Sequence, residues 1–235
     1  MSFLIVKGEF GPLIQARNVT KRYGKTKDVI SNLSLEIRRG EMLGLKGENG
    51  AGKSTLLSML ALILPATAGE IWIDGKEIRG DKEAAQIKKK IGYVPQEIAL
   101  YGNLSVKDNL SFWGKAYGLR GSSLRTRIDE VLAFVGLKNR QNDRIETFSG
   151  GMKRKVNLAA SILHSPELLI LDEPTAGVDR DSRRHILQAI KEMSENGCTV
   201  ILTSHQEDEM MYCDRVALLE DGKIASFETP QNNRP

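Results

Sequence analysis

The chain is short of several things, and each shortage removes a class of protein. Only two of its 235 residues are cysteine, Cys198 and Cys213, too few for a disulfide framework and without metal-ligand spacing. Both are expected to be reduced thiols, as in a cytoplasmic protein. No apolar run approaches the roughly 20 residues that cross a bilayer. The longest covers residues 56–64, and the opening residues 3–6 are too short for a signal peptide. A soluble, globular protein that neither enters nor crosses a membrane unaided is expected. Charge of one sign is also scarce: 34 Lys and Arg against 30 Asp and Glu leave +4. Because the basic clusters near residues 21–27, 88–90 and 153–155 are separated, no nucleic-acid groove is expected. What remains, 40% hydrophobic residues over this length, is enough for one large α/β domain or two small ones, with a real core.

The strongest positive signal is GENGAGKST, formed by Gly47, Glu48, Asn49, Gly50, Ala51, Gly52, Lys53, Ser54 and Thr55. A glycine, four residues, then Gly-Lys-Ser is a phosphate loop, so the chain is expected to bind a nucleoside triphosphate. The glycines let successive backbone N–H groups curl around an anion. Lys53 supplies charge to the β and γ phosphates and Ser54 a hydroxyl to magnesium, while the helix opening near Lys53 offers its N–H groups. The flanks agree: residues 42–45 read as a short buried strand, and 54–64 as an apolar helix ended by Pro65.

Upstream, residues 13–19 and 33–37 alternate apolar with polar around a turn, as in half-exposed strands of an antiparallel sheet. Tyr23 between them is either a sheet-surface aromatic or a platform for a purine ring. Ile71 and Ile73 oppose Trp72 in a further strand, read as a sheet edge, with a tight turn at Asp74-Gly75. Residues 82–90 form a short polar helix, and the strand IGYV then delivers Gln96 to a carboxyl end, where ligands of parallel sheets gather. From 105 to 164 the pattern is helical, with Val106, Leu110 and Trp113 on one face and Ile128, Val131, Leu132 and Val135 on another. Ser149, Gly150 and Gly151 precede an apolar-periodic helix. They are an ordinary cap or a second anion site.

LLILDEP, residues 168–174, is a continuous apolar run ending in two acids, as expected of a buried parallel strand carrying catalytic carboxylates. Asp172 would hold magnesium, and Glu173 would polarise the water attacking the γ phosphate. Residues 180–196 form an amphipathic helix ended by Gly197, and 198–203 a core strand carrying Ser204 and His205 at its end. His164 is expected to be structural and His185 exposed. A hairpin turning at Asp221-Gly222 closes the fold, and the polar tail 230–235 is expected to be disordered.

Taken together, over residues 13–229, these motifs resemble the nucleotide-binding subunit of an ATP-binding cassette (ABC) transporter. The resemblance implies an α/β fold: a P-loop NTPase core with a mostly parallel sheet, an N-terminal antiparallel β subdomain, and a helical subdomain inserted at about 97–165 of a single domain 1–235. It implies ATP and Mg2+ as ligands. Tyr23 then matches the adenine-stacking aromatic, Gly47 to Thr55 the Walker A loop and Gln96 the Q-loop glutamine. Asp172 and Glu173 match Walker B with its catalytic glutamate, Asp179 the loop signalling across the dimer, and His205 the switch histidine. Ser149, Gly150 and Gly151 match the signature that touches ATP bound to Lys53 of a second cassette, in a homodimer or heterodimer.

The resemblance further implies a separate transmembrane permease subunit, which would hold the chain at the cytoplasmic face of the membrane, with magnesium bound through Ser54, Gln96 and Asp172. Phe148 and Met152-Lys153-Arg154 depart from the commonest signature and are similar to bacterial exporters of drugs, lipids, polysaccharides or peptides. A C-terminal extension common in that branch is not part of the 235 residues. The competing reading is a soluble ABC ATPase remodelling nucleic acid or ribosomes. Against it, residues 96–149 leave room for a compact helical segment and not a long coiled coil.

Overall fold

The computed structural model describes residues 11–24 and 27–230. The tail from 231, the opening residues 3–6 and Lys25-Thr26 of the first turn lie outside them. In chain order the elements begin β1 (Pro12–Arg22), β2 (Asp28–Arg38), β3 (Met42–Lys46), α1 (Lys53–Leu60), β4 (Ala68–Ile73), β5 (Lys76–Glu77), α2 (Asp81–Lys88) and β6 (Ile91–Val94). There follow α3 (Val106–Ala116), α4 (Gly121–Phe134), α5 (Gly150–Ile162), β7 (Leu168–Asp172), α6 (Arg180–Glu195), β8 (Thr199–Thr203), α7 (Glu207–Met210), β9 (Arg215–Glu220) and β10 (Lys223–Glu228). No helix of the described residues is long and apolar enough to cross a membrane.

Two sheets form. β2-β1-β4-β5 is antiparallel, and β10-β9-β3-β8-β7-β6 is parallel except for β10. The apolar runs 168–171 of β7 and 200–202 of β8 follow from burial on both faces: all five residues of each strand are buried. Successive side chains go to opposite sides. Leu169, Leu171, Val200 and Leu202 join the core under α3, α4, α5 and α6, while Leu168, Ile170 and Ile201 join the core under α1 and the antiparallel sheet. Fully burying each such side chain stabilises the fold by about 1.5–3 kcal/mol. The two sheets are tied where the Ser31 N–H donates to Gly222 O at 3.0 Å and the Arg215 guanidinium bridges buried Glu41 and the Glu36 carbonyl.

Two local expectations are corrected. The helix after the phosphate loop ends at Leu60 and does not run to Leu64. Leu62 takes φ 59°, and the N–H groups of Leu62 and Ile63 return to Met59 O and Ser58 O, closing the helix before Pro65 is reached. The same closure ends α6, but there Gly197 occupies the left-handed position and marks the end in the sequence. The second correction concerns β4, which is not a sheet edge: it lies between β1 and the two-residue β5. Asp74 and Gly75 both have positive φ, as a two-residue hairpin requires, and the turn adds that short outer strand.

The cysteines are both buried and free, and burial pushes each thiol up to about 12, which leaves them unreactive. His164 is structural: its ring stacks on Tyr117 with centroids 3.7 Å apart, and Nε2 donates to the Ile91 carbonyl at 3.0 Å when the ring is neutral. Burial, with Arg127 adding to it, lowers its pKa from 6.5 to about 4. The folded chain therefore refuses a proton that the unfolded chain accepts, so stability from this group is lost as pH falls from 6.5 toward 4. The expected loss is about 1–2 kcal/mol, discounted for the ring's remaining exposure. Urea midpoints at pH 7 and pH 4.5 check this. His164→Phe should show the shallower pH dependence, and identical slopes would contradict it.

Candidate nucleotide site

Residues 47–55 join β3 to α1. Gly50 has φ 83° and Gly52 φ 104°, conformations in which a side chain is strained. At Gly52 a Cβ would also meet Ile30 Cδ1 at 2.8 Å and Val29 O at 2.9 Å. Gly52 caps α1 without a side-chain hydrogen bond, and no acid lies in the first turn. The opening N–H groups are thus left to whatever anion the loop encloses. Lys53 is buried, with its ammonium donating to Gly47 O at 2.8 Å and Glu48 O at 3.0 Å across the loop. Ala51 N–H closes the turn on Glu48 O, and exposed Ser54 is the second residue of the helix. A cleft of about 520 Å3 lies beside the loop, lined by Asn49, Gly50, Asp28 and Leu219 among others.

The parallel order β3-β8-β7-β6 brings four carboxyl ends to one rim. There the two acids of β7 divide. Asp172, buried at the strand end, accepts from Thr203 Oγ1 at 2.8 Å. The same Thr203 oxygen accepts from Glu173 N–H at 2.9 Å. Glu173 itself has φ 48°, a left-handed turn that swings its carboxylate away from the direction a continuing strand would dictate. Gln96 Nε2 donates to Glu173 Oε2 at 2.9 Å, and His205 Nε2 lies 2.9 Å from Oε1. Two residues from two other strand ends, Gln96 and His205, therefore meet on the one carboxylate of Glu173.

The Ser-Gly-Gly segment has its own neighbours. Ser149 caps α5 by accepting from Met152 N–H at 3.3 Å. A Cβ on Gly151 would lie 2.5 Å from Ser182 Oγ and 3.3 Å from Asp179 Oδ2, and one on Gly150 would lie 3.7 Å from Gly177 O. Gly151 therefore lets α5 approach the start of α6, whereas at Gly150 a side chain would find ordinary contact. Asp179 caps α6, and the Ser182 N–H at 2.9 Å holds its carboxyl below the usual carboxylate range. Tyr23, just past β1, is exposed, with the Lys21 ammonium 5.4 Å from its ring centre.

The donor set suits magnesium: a hydroxyl at Ser54, a carboxylate at Asp172 and an amide at Gln96 are hard oxygen ligands. Among the described residues no group of three or more His, Cys, Asp and Glu could hold a metal ion. Sequence reasoning missed Thr203, which links Asp172 and Glu173, although a threonine ending an otherwise apolar buried strand was the available signal. It also missed Arg154, whose guanidinium donates to the Gln96 carbonyl and joins α5 to the segment after β6. Nothing short of the folded chain relates positions 58 residues apart.

A family model described as ABC transporter matches residues 30–176. The linearmycin resistance ATP-binding protein LnrL of Bacillus subtilis is 49% identical over 92% of this chain and 69% of its own length. The probable multidrug ABC transporter ATP-binding protein YbhF of Escherichia coli is 37% identical over 94% of this chain. The chain spans only 38% of that relative's length. Among solved structures, a dimeric ATP-binding cassette in a post-hydrolysis state, bound to ADP and Pi, superposes with TM-score 0.85 at 28% identity, covering 93% of this chain and 99% of that one. With phosphate loop, strand-end acids and cassette fold in one chain, it belongs to the ABC transporter family, as an ATP-binding and ATP-hydrolysing subunit.

Proposed function

We propose that the chain is the ATP-driven motor of an exporter, working as a head-to-tail pair of cassettes against a separate membrane-spanning permease. The observation that carries the hydrolytic half is the meeting of Gln96 and His205 on Glu173, each at 2.9 Å. In this reading Lys53 and the α1 N-terminus hold the β and γ phosphates, Tyr23 stacks on adenine, and Glu173 accepts the proton of the attacking water while His205 senses the γ phosphate. Magnesium, held by Ser54, Asp172 and Gln96, would neutralise charge between the phosphates. Ser149, Gly150 and Gly151 of a second copy complete the site, because in their own chain their neighbours are Gly177, Asp179 and Ser182. Asp179, sitting against Gly151, carries the signal between the two sites.

Outward transport is supported by the linearmycin resistance and multidrug relatives and by the Nod factor export ATP-binding protein I of Cupriavidus pinatubonensis, 34% identical over 94% of this chain. The permease would dock in an apolar groove of about 470 Å3 lined by Ile63, Tyr93, Pro95, Trp113 and Asn157, beside Gln96. That docking would place the chain at the cytoplasmic face of the membrane. Affinity purification from detergent-solubilised membranes tests the assignment. A stoichiometric multi-span protein is expected with the natural chain and is expected to be lost with Ile63→Asp, at an exposed groove position. Recovery only in the soluble fraction, with ribosomes or nucleic acid, would overturn it.

A further inference from the structure

One buried carboxylate lies outside the machinery described so far. Glu209, in α7, is fully buried, and its Oε1 accepts from the buried Thr175 hydroxyl at 2.6 Å. Arg183 Nε on α6 lies 3.4 Å from the same oxygen. Glu209 Oε2 and Arg183 Nε are buried and make no hydrogen bond. Arg183 also donates through Nη1 to Gln206 Oε1 at 3.1 Å. Apolar side chains at both 183 and 209 would fill this space and leave neither of these two atoms stranded, so stability alone does not account for a half-satisfied arginine–acid pair here.

The positions of the partners do account for it. Thr175 is two residues after Glu173, Arg183 four after Asp179, and Glu209 four after His205. The cluster borders a cavity of about 220 Å3 whose lining includes Glu173, Arg183, Ser204, His205 and Gln206. We propose that Glu209 is a positioning residue for hydrolysis: through Thr175 and Arg183 it locks the segment carrying Glu173 and Asp179 to the segment carrying His205. A displacement at α6, where the second cassette is read, then reaches Glu173 and His205 together. The half-made Arg183–Glu209 contact is the element that tightens.

The inference rests on Glu173 and His205 performing the chemistry, and the test keeps the two apart. In the full chain, Glu209→Gln keeps an acceptor for Thr175 but removes the charge facing Arg183. Its kcat for ATP is expected to fall about tenfold to a hundredfold, with KM within about twofold because the phosphate loop is untouched. The Arg183→Gln/Glu209→Gln pair leaves no lone buried charge. It is expected to recover the thermal midpoint but not kcat, which a purely structural role would restore together. Normal kcat in Glu209→Gln, or in the double variant if the single one does not fold, overturns the proposal. If Glu173→Gln is inactive alongside it, the site itself still stands.

Discussion

Replacing Glu173 by glutamine is expected to lower ATP turnover by about a hundredfold to ten-thousandfold, the range that a positioned general base supplies. The substitution changes almost nothing but basicity. The backbone turn at φ 48° and the Glu173 N–H bond to Thr203 are independent of the side chain's charge. The amide keeps one acceptor for Gln96 or His205, which now hold each of the two carboxylate oxygens at 2.9 Å. ATP affinity is expected to stay within about twofold, since the loop of Lys53 is left intact. Phosphate release at saturating ATP checks the rate, and wild-type turnover would remove Glu173 from its assigned role.

Lys53→Ala is expected to act one step earlier, weakening ATP binding itself by about a hundredfold. Removing one member of a buried charge pair costs about 2–5 kcal/mol, and here the partner is a polyanion. The lysine does more than carry charge: by spanning to Gly47 O and Glu48 O it draws the two sides of the loop together. Calorimetric titration with ATP should therefore report weaker affinity. Unchanged affinity would argue that the loop holds phosphate through its backbone alone. The contrast between the two variants is diagnostic: one loses binding, the other only turnover.

Much of this arrangement was legible in the chain because its signals are local. The glycines of residues 47–55 are dictated by backbone angles set within the loop, and the four residues of LLIL ahead of Asp172 are apolar because both faces of that strand are covered. The turns at Asp74-Gly75 and Asp221-Gly222 are read from two residues each. What escaped was set by distant partners or by exceptions to local preference. Leu62 ends α1 in a conformation that glycine usually marks, so the apolar pattern ran on past the true end. The outermost strand of the antiparallel sheet has only two residues, too few for a period, and β4 therefore looked like an edge. Thr203 and Glu209 meet their partners across 31 and 34 positions of chain, where no spacing rule applies.

The central claim is that one chain's Ser149, Gly150 and Gly151 complete the nucleotide site of a second copy, so that ATP joins two cassettes and hydrolysis releases them. The molecular mass of the Glu173→Gln variant, measured by light scattering with and without MgATP, tests this most directly. Hydrolysis no longer dissolves the pair, so the mass is expected to rise from the 26.1 kDa of one chain to twice that value when MgATP is added. Adding Ser149→Arg to the same variant should return it to one chain while ATP still binds. A mass that stays at one chain with ATP bound, or a pair indifferent to Ser149, would contradict the account.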